Sequence, residues 1–307
     1  MPPPWMPSAQ KRTCIQGGGT TLGPVPATPI RGKPIADRIR AEVAEEVRRL
    51  GGLGLVTVLV GDDPASEIYI GLKQKAAAAA GITATDLRLP ADITEAALLE
   101  RIAELNADES VHALLVQLPL PAHIDAARVM RSIDPRKDVD GLHPFNAGQL
   151  YLGRPTLVGA TPIGIMAMLD EHRIELDGAH AVVIGRSDIV GKPVAHLLLQ
   201  RNATVTICHS HTRDLSRHTL DADVLVAAVG VPAFISADLV KLGAAVIDVG
   251  ISRTEAGVVG DVDPGAVDSA AYLTPVPGGV GPMTIACLLE NAVRCARYLR
   301  GELAFPA

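Results

Sequence analysis

The segment Ala181-Val-Val-Ile-Gly-Arg-Ser-Asp-Ile-Val-Gly191 predicts a strand, a tight loop and the start of a helix. Gly185 ends the strand, since glycine adopts the backbone conformations that tight turns need. Gly191 has no side chain, so the helix can pack closely on the strand. The free N–H groups at such a helix start bind phosphate well. The glycines lack the G-x-G-x-x-G spacing, so an ordinary strand-to-helix connection would leave the same pattern.

Strands and helices alternate on both sides of this segment. Such alternation predicts parallel sheets with right-handed crossovers, and therefore an α/β fold. The predicted strands are 55–60, 82–89, 111–116, 181–184, 204–208, 224–229, 244–249 and 271–273. The predicted helices are 32–50, 66–80 with Ser66 as its cap, 94–106, a helix from about 162, 189–200, 236–241 and 284–299.

The chain of 307 residues fits two domains. The alternating pattern breaks over the Pro- and Gly-rich stretch 134–160, which predicts a domain boundary near 155–162. We expect a first domain over 28–160 and a dinucleotide-binding domain over 161–283. Residues 1–27 show no periodicity, so we interpret them as a disordered leader or a misassigned start outside the fold.

Composition excludes several classes of function. A formal net charge of -6 argues against a nucleic-acid partner. No apolar run approaches the roughly 18 residues of a transmembrane helix, so no membrane association is expected. The four cysteines show no CxxC spacing, which predicts neither a zinc site nor disulfides and fits a reducing cytoplasm.

The segment Cys208-His-Ser-His-Thr212 ends the strand that follows the glycine loop. A chain that selects NAD usually places an acidic residue there for the ribose diol. No acid occurs before Asp214, which favours NADP, although NAD stays possible. A 2′-phosphate could be held by Arg186, Ser187, Ser210 and His211, each of which could equally be an ordinary surface residue.

The segment Thr274-Pro-Val-Pro-Gly-Gly-Val-Gly-Pro-Met-Thr284 holds three prolines and three glycines. Proline fixes φ and glycine lets the backbone approach a ligand, so the segment can form a stiff cradle before the last helix. An ordinary turn rich in these residues is the alternative.

Polar residues at three places suggest a reactive site in the first half of the chain. Tyr69 and Lys73 are four residues apart and share a helical face, where they could stack on a ring and relay a proton. Gln117 ends an apolar strand, where parallel sheets bind ligands. Lys137-Asp-Val-Asp-Gly141 supplies two acids; calcium binding is conceivable, but the spacing is not that of an EF-hand. We expect His143 to be structural.

These motifs together resemble the bifunctional methylenetetrahydrofolate dehydrogenase/cyclohydrolase family (FolD). The similarity covers about residues 28 to 300, in the family's order. The motifs that carry it are Gly61-Asp-Asp-Pro-Ala-Ser66, Tyr69-x-x-x-Lys73, Val116-Gln-Leu-Pro-Leu120, Lys137-Asp-Val-Asp-Gly141, Gly185-Arg-Ser-x-Ile-Val-Gly191 and Pro275-Val-Pro-Gly-Gly-Val-Gly-Pro-Met-Thr284.

The resemblance implies two lobes: an N-terminal α/β catalytic lobe, completed by the C-terminal segment 284–303, and a Rossmann-type NAD(P)-binding lobe. It also implies residue roles. Lys73 matches the catalytic lysine, Tyr69 a ring-stacking tyrosine, Gln117 the amide that hydrogen-bonds the lysine, and Asp140 the residue that pairs with the pterin. The residues that match the family's folate-pocket loop are Pro277, Gly278, Gly279 and Val280. Those that match its cofactor contacts are Gly185, Arg186, Ser187, Ser210 and Ile251.

The implied reactions are the NADP-dependent oxidation of 5,10-methylenetetrahydrofolate and hydrolysis of the methenyl product to 10-formyltetrahydrofolate. The family further implies a cytoplasmic homodimer that serves one-carbon metabolism and purine biosynthesis, with a folate substrate and no metal. Two alternatives stay open at this point: another two-domain NADP-dependent oxidoreductase, similar to shikimate dehydrogenase, and a non-catalytic protein that binds folate or NADP.

Overall fold

The structure, a computed structural model, describes residues 26–61, 64–255 and 257–306, and for residues 64–70 it describes the backbone only. The expected leader therefore lies outside the described residues, apart from positions 26 and 27. No helix among the described residues is long and apolar enough to cross a membrane.

Strands and helices alternate along the described chain. The strands are β1 (Thr28–Pro29), β2 (Gly54–Val60), β3 (Thr83–Leu89), β4 (Ala113–Val116), β5 (His180–Ile184), β6 (Thr204–Cys208), β7 (Val224–Ala227), β8 (Ala245–Asp248), β9 (Ser252–Thr254), β10 (Gly257–Val259) and β11 (Tyr272–Leu273). The α-helices are α1 (Gly32–Arg49), α2 (Pro64–Ala79), α3 (Glu95–Ala107), α4 (Ala126–Ser132), α5 (Pro144–Tyr151), α6 (Ala160–Glu171), α7 (Gly191–Gln200), α8 (Ser216–Thr219) and α9 (Val280–Leu299).

These strands form two parallel sheets and one antiparallel hairpin, which confirms the predicted α/β class. The first lobe contains the sheet β3-β2-β4, and the second contains the sheet β1-β11-β8-β7-β5-β6. Central strands such as β7 are fully buried because helices cover both faces of a parallel sheet. The carboxyl ends of β5, β6, β7 and β8 meet at one edge of the larger sheet.

The last helix joins the two lobes. Its apolar side packs against α1 of the first lobe and against α6. Within α9, the buried amide of Asn291 donates hydrogen bonds to the carbonyl oxygens of Val139, at 2.9 Å, and Val158, at 2.7 Å. A buried amide with both donors satisfied fixes the helix against the segment that connects the lobes. The expected return of the C-terminal helix to the first lobe is thus observed.

Several predicted boundaries were wrong. Helix α9 begins at Val280 rather than Thr284, because the first turn of a helix tolerates Pro282, whose missing N–H would have no partner there. Helix α2 begins at Pro64, so Ser66 is not its cap. The stretch 134–160, expected to be a connection, contains α5, with Pro144 in its first turn.

Other elements were not predicted at all. Helix α4 follows Asp125, whose carboxylate accepts from the N–H groups of Ala127 and Arg128. The hairpin β9–β10 was also missed, since its strands have only three residues each. Strand β1, which falls in the expected first domain, pairs with β11 of the larger sheet. The division into 28–160 and 161–283 stays a prediction.

Candidate active site

A cavity of about 170 Å³ lies between the lobes, at the end of β4. Lys73 reaches it from α2, Gln117 from the residue after β4, and Asp140 from the loop that follows. The structure therefore brings together three residues that the sequence analysis singled out separately. The polar residues that line the cavity are Lys73, Gln117, Asp140, Thr161 and Thr284.

The Lys73 ammonium and the Gln117 amide form a direct contact. The lysine Nζ donates to Oε1 of Gln117 at 3.3 Å, while the amide nitrogen donates to the Leu118 carbonyl oxygen at 2.8 Å. The backbone N–H of Gln117 in turn donates to the carbonyl oxygen of Val58 at 2.9 Å. The glutamine is thus held on both sides, and it presents an uncharged acceptor to the lysine.

Asp140 is the acid of the Lys137–Gly141 segment that faces the cavity. Burial raises the pKa of its carboxyl; the Lys73 charge opposes that effect, and the nearby Asp138 adds to it. A carboxylate with this environment gains from a cationic or hydrogen-bond-donating ligand, which would offset its desolvation.

The other two charged residues of that segment, Lys137 and Asp138, form hydrogen bonds that stabilise the loop. Lys137 is buried, and its ammonium donates to the carbonyl oxygens of Leu105 at 3.0 Å, Asn106 at 2.8 Å and Asp108 at 2.8 Å. These carbonyl groups lie at the C-terminal end of α3, where a cation is favourable. Lys137 therefore fixes the loop to that helix.

Asp138 is buried and organises the loop that precedes α5. Its carboxylate accepts from the N–H groups of Leu142 at 3.2 Å and His143 at 2.8 Å, and from the Asn146 amide at 2.8 Å. With its oxygens occupied in this way, Asp138 fits a structural role better than calcium ligation. His143 accepts from the Phe145 N–H at 3.0 Å and caps α5, in agreement with the structural role expected for it.

Two polar residues of the cavity lining, Thr161 and Thr284, were missed as site residues by sequence reasoning. The hydroxyl groups of Thr161 and Thr284 form a hydrogen bond of 2.8 Å across the junction of α6 and α9. Each lies near the start of an apolar helix, where a threonine normally indicates capping rather than ligand binding. Their juxtaposition spans more than a hundred residues of sequence, so no local signal could have shown it.

The described residues that line the cavity include none of the loop 274–279 and not Val280. The Gly278 carbonyl oxygen accepts from the Gly32 N–H at 3.0 Å, so the loop is attached to the start of α1. Pro277 is exposed, and Val280 begins α9 one turn before Thr284. Tyr69 belongs to α2, one turn before Lys73, but its side chain is outside the described part of the chain.

The loop between β5 and α7 has room only for glycine at two positions. Gly185 has a φ of 118°, and a Cβ there would lie 2.2 Å from the Ala228 carbonyl oxygen. A Cβ on Gly191 would lie 2.2 Å from the Gly185 carbonyl oxygen. The Ser187 hydroxyl accepts from the Val190 N–H at 3.1 Å, which leaves its own hydrogen free to donate.

The remaining predicted cofactor contacts are exposed at the same edge of the sheet. Arg186 and Ser210 follow β5 and β6, and Ile251, which follows β8, is 45% exposed. The rings of His209 and His211 lie 5.9 Å apart beside them. A loop that requires glycine at two positions, a helix start, and a cluster of basic and hydroxyl groups together fit the phosphates of a dinucleotide.

Two family models match the chain. The catalytic domain of tetrahydrofolate dehydrogenase/cyclohydrolase matches residues 30–140, and the NAD(P)-binding domain of the same family matches residues 159–300. The chain belongs to the tetrahydrofolate dehydrogenase/cyclohydrolase family. A curated relative, bifunctional protein FolD 2 of Geobacter sulfurreducens, is 53% identical over 277 residues, covering 88% of this chain and 97% of the relative.

Solved structures of the tetrahydrofolate dehydrogenase/cyclohydrolase family have the same fold. The bifunctional FolD enzyme of Campylobacter jejuni superposes with a TM-score of 0.87 at 45% identity, covering 90% of this chain and 100% of the other. The Trypanosoma brucei enzyme, solved in complex with NADP cofactor and inhibitor, superposes with a TM-score of 0.84 at 40% identity, covering 91% and 100%. These findings support the family expectation over the two alternatives.

Proposed function

We propose that this chain oxidises 5,10-methylenetetrahydrofolate with NADP and hydrolyses the resulting methenyl compound to 10-formyltetrahydrofolate. Both reactions use the cavity between the lobes. The observation that carries this proposal is the convergence of Lys73, Gln117 and Asp140 on that cavity, in a chain of the tetrahydrofolate dehydrogenase/cyclohydrolase family.

The hydrolytic step needs one group that accepts and returns a proton. The water oxygen bonds to the bridging carbon of the methenyl cation, and a water proton passes to the Lys73 amine. The bond from that carbon to N5 then breaks as the carbonyl group forms; the adduct releases its hydroxyl proton, and Lys73 returns a proton to N5. Gln117 supports this role because its neutral oxygen, 3.3 Å from Nζ, orients the lysine without the strong ammonium stabilisation of a carboxylate.

The oxidative step depends mainly on positioning. When bound, NADP supplies the hydride acceptor at nicotinamide C4. The chain orients the pterin through Asp140, whose carboxylate accepts from the guanidine-like edge of the ring. The Tyr69 ring stacks on the substrate, and the loop Pro277–Val280 borders the folate.

The NADP site lies at the carboxyl edge of the larger sheet. Ser187 donates to a phosphate at the start of α7, Arg186 and Ser210 provide charge and hydroxyl groups for the 2′-phosphate, and Ile251 packs against the cofactor. Gly185 lets the backbone approach it. Support comes from the exposed positions of these residues and from the NADP in the Trypanosoma brucei structure.

A spectrophotometric assay of the purified chain tests the proposed function. With 5,10-methylenetetrahydrofolate and NADP we expect reduced cofactor to form, and with the methenyl compound alone we expect its absorbance to decay faster than in buffer. A chain that binds both ligands without turning them over would contradict the enzymatic proposal. The same assay with NAD measures the cofactor preference.

The glycine loop provides a separate test of the cofactor site. Gly185→Ala should raise the NADP dissociation constant about tenfold or more, because the added methyl group meets the Ala228 carbonyl oxygen and the backbone has a positive φ. Gly178→Ala is the matched control, since this glycine, before β5, also has a positive φ but open space around its Cβ position. Equal affinities in the two variants would argue against a cofactor at this loop.

We further propose a cytoplasmic homodimer that supplies one-carbon units to purine biosynthesis and binds no nucleic acid. The net charge of -6 supports the last point, since it disfavours contact with a polyanion. The family match supports the others. The first domain spans 28–160, completed by 284–303, and the cofactor domain spans 161–283.

A further inference from the structure

Two buried aspartates lie at the carboxyl edge of the larger sheet, outside the predicted site residues. Asp248 is the last residue of β8 and is 4% exposed, and Asp261 follows the hairpin β9–β10 and is 0% exposed. Neither has a Lys or Arg partner among the ion pairs of the described residues. Burying two carboxylates without a cation is costly. Three of their four oxygens accept backbone N–H groups, whereas Oδ1 of Asp261 has no hydrogen-bond partner among the described residues.

Asp261 holds the turn that follows β7. Its Oδ2 accepts from the N–H groups of Val229, at 2.7 Å, and Gly230, at 2.9 Å. The preceding residue, Ala228, donates to the end of β5, and its carbonyl oxygen is the atom that a Cβ on Gly185 would strike. The carboxylate of Asp261 therefore fixes the turn 228–230, which lies against Gly185 in the loop between β5 and α7.

Asp248 holds the segment that follows β8. Its Oδ1 accepts from the N–H groups of Gly250 at 3.0 Å and Asp261 at 2.8 Å, and its Oδ2 accepts from Val262 at 3.0 Å. Its own N–H donates to the Thr274 hydroxyl at 2.7 Å, at the start of the loop 274–279. The carboxylate of Asp248 thus joins the segment after β8 to residues 261–262, and its backbone N–H adds a contact to the loop 274–279.

The two side chains form a single unit. The N–H of Asp261 is bound by Asp248, and a Cβ on Gly250 would lie 2.1 Å from Oδ1 of Asp261. Burial raises the pKa of Asp248 to about 6, and the neighbouring Asp261 adds to that effect. The hydrogen bonds that the Asp248 carboxyl accepts from the N–H groups of Gly250, Asp261 and Val262 act against this rise, since they favour the charged form.

We propose that Asp248 and Asp261 are positioning residues for the dinucleotide, which hold the turns 228–230 and 249–251 in the shape that receives it. The inference rests on the proposed function, because the cofactor edge is part of that proposal. The positions of the contacts support it: the two carboxylates hold the N–H groups of Val229, Gly230 and Gly250. Val229 follows Ala228, whose carbonyl oxygen lies against Gly185, and Gly250 precedes Ile251.

The test replaces Asp261 and measures the two ligands separately. Asp261→Ala leaves the N–H groups of Val229 and Gly230 without their acceptor, so we expect the NADP dissociation constant, measured by calorimetry, to rise about tenfold or more. The KM for NADP should rise with it. Hydrolysis of the methenyl compound needs no dinucleotide and should stay within about twofold of the wild-type rate.

Asp223→Ala is the matched control. This aspartate precedes β7 at the opposite edge of the same sheet, accepts from the His180 N–H at 2.9 Å and pairs with Lys241 at 2.6 Å. Asp223→Ala removes a similar contact to a backbone N–H, but at the edge of the sheet opposite the proposed cofactor site, so the NADP affinity should be unchanged. A comparable loss of NADP affinity in both variants would show a general effect of lobe stability and overturn the inference.

Asp261→Asn decides the question if the alanine variant does not fold. The amide keeps the volume and one oxygen, but a neutral acceptor binds N–H groups less strongly, so a rise of about threefold in the NADP dissociation constant is expected. Wild-type NADP affinity in this variant, or an equal fall in both activities, would overturn the inference. A wild-type chain without NADP-dependent oxidation would instead contradict the proposed function.

Discussion

Lys73→Ala should lower the rate of methenyltetrahydrofolate hydrolysis at least about a hundredfold, because general acid–base catalysis of this kind contributes a factor of that order or more. The oxidation of methylenetetrahydrofolate should also be strongly impaired, since the lysine borders the same cavity. The NADP dissociation constant should not change, because the predicted cofactor residues lie at the edge of the other sheet. The three quantities can be measured on one preparation.

Lys75→Ala is the control for this variant. Lys75 lies on the same helix two residues later, is exposed, and faces a groove against α1 rather than the cavity. Removing it changes the charge and the helix by the same amount as removing Lys73, and both activities should survive. An undiminished hydrolysis rate in Lys73→Ala would rule out the proposed proton transfer.

The sequence was sufficient to predict that these residues meet. Gln117 follows an apolar strand, and ligands bind at the carboxyl ends of parallel strands, so the alternation of elements placed Gln117 at a ligand-binding edge. That Lys73 and Asp140 share this site was implied by the resemblance. The family motifs then assigned the roles. The resemblance implied the hydrogen bond between Lys73 and Gln117, which the structure shows at 3.3 Å; the periodicity of the sequence could not have predicted it, because it depends on where α2 lies relative to the end of β4.

Other parts of the site depend on contacts that leave no local signal. The Thr161–Thr284 hydroxyl pair forms where α6 meets α9, and Asp261 binds N–H groups more than thirty residues away. Short elements were missed for a related reason. Helix α5 begins at Pro144 within a stretch rich in Pro and Gly, and its stability comes from tertiary contacts rather than from periodicity.

Asp140→Asn should raise the KM for the folate substrate about tenfold or more in both reactions. A carboxylate offers two charged acceptors to the guanidine-like edge of the pterin. An amide offers one neutral acceptor, and its NH₂ group would face an N–H donor of the pterin. The loss of a charge-assisted hydrogen bond of this kind costs about 1.5–3 kcal/mol. The NADP dissociation constant should stay at the wild-type value.

Thermal unfolding separates this effect from a structural one. Because burial raises the pKa of the Asp140 carboxyl, the fold disfavours its charge, and the neutral amide should leave the melting temperature unchanged or higher. Asp138→Asn is the contrasting variant, since that carboxylate accepts from Leu142, His143 and Asn146, and its replacement should lower the melting temperature. Two results would contradict this role: an equal loss of folate binding and NADP binding in Asp140→Asn, or a melting temperature as low as that of Asp138→Asn. Asp140 would then be a structural residue, and the pterin would have to bind elsewhere in the cavity.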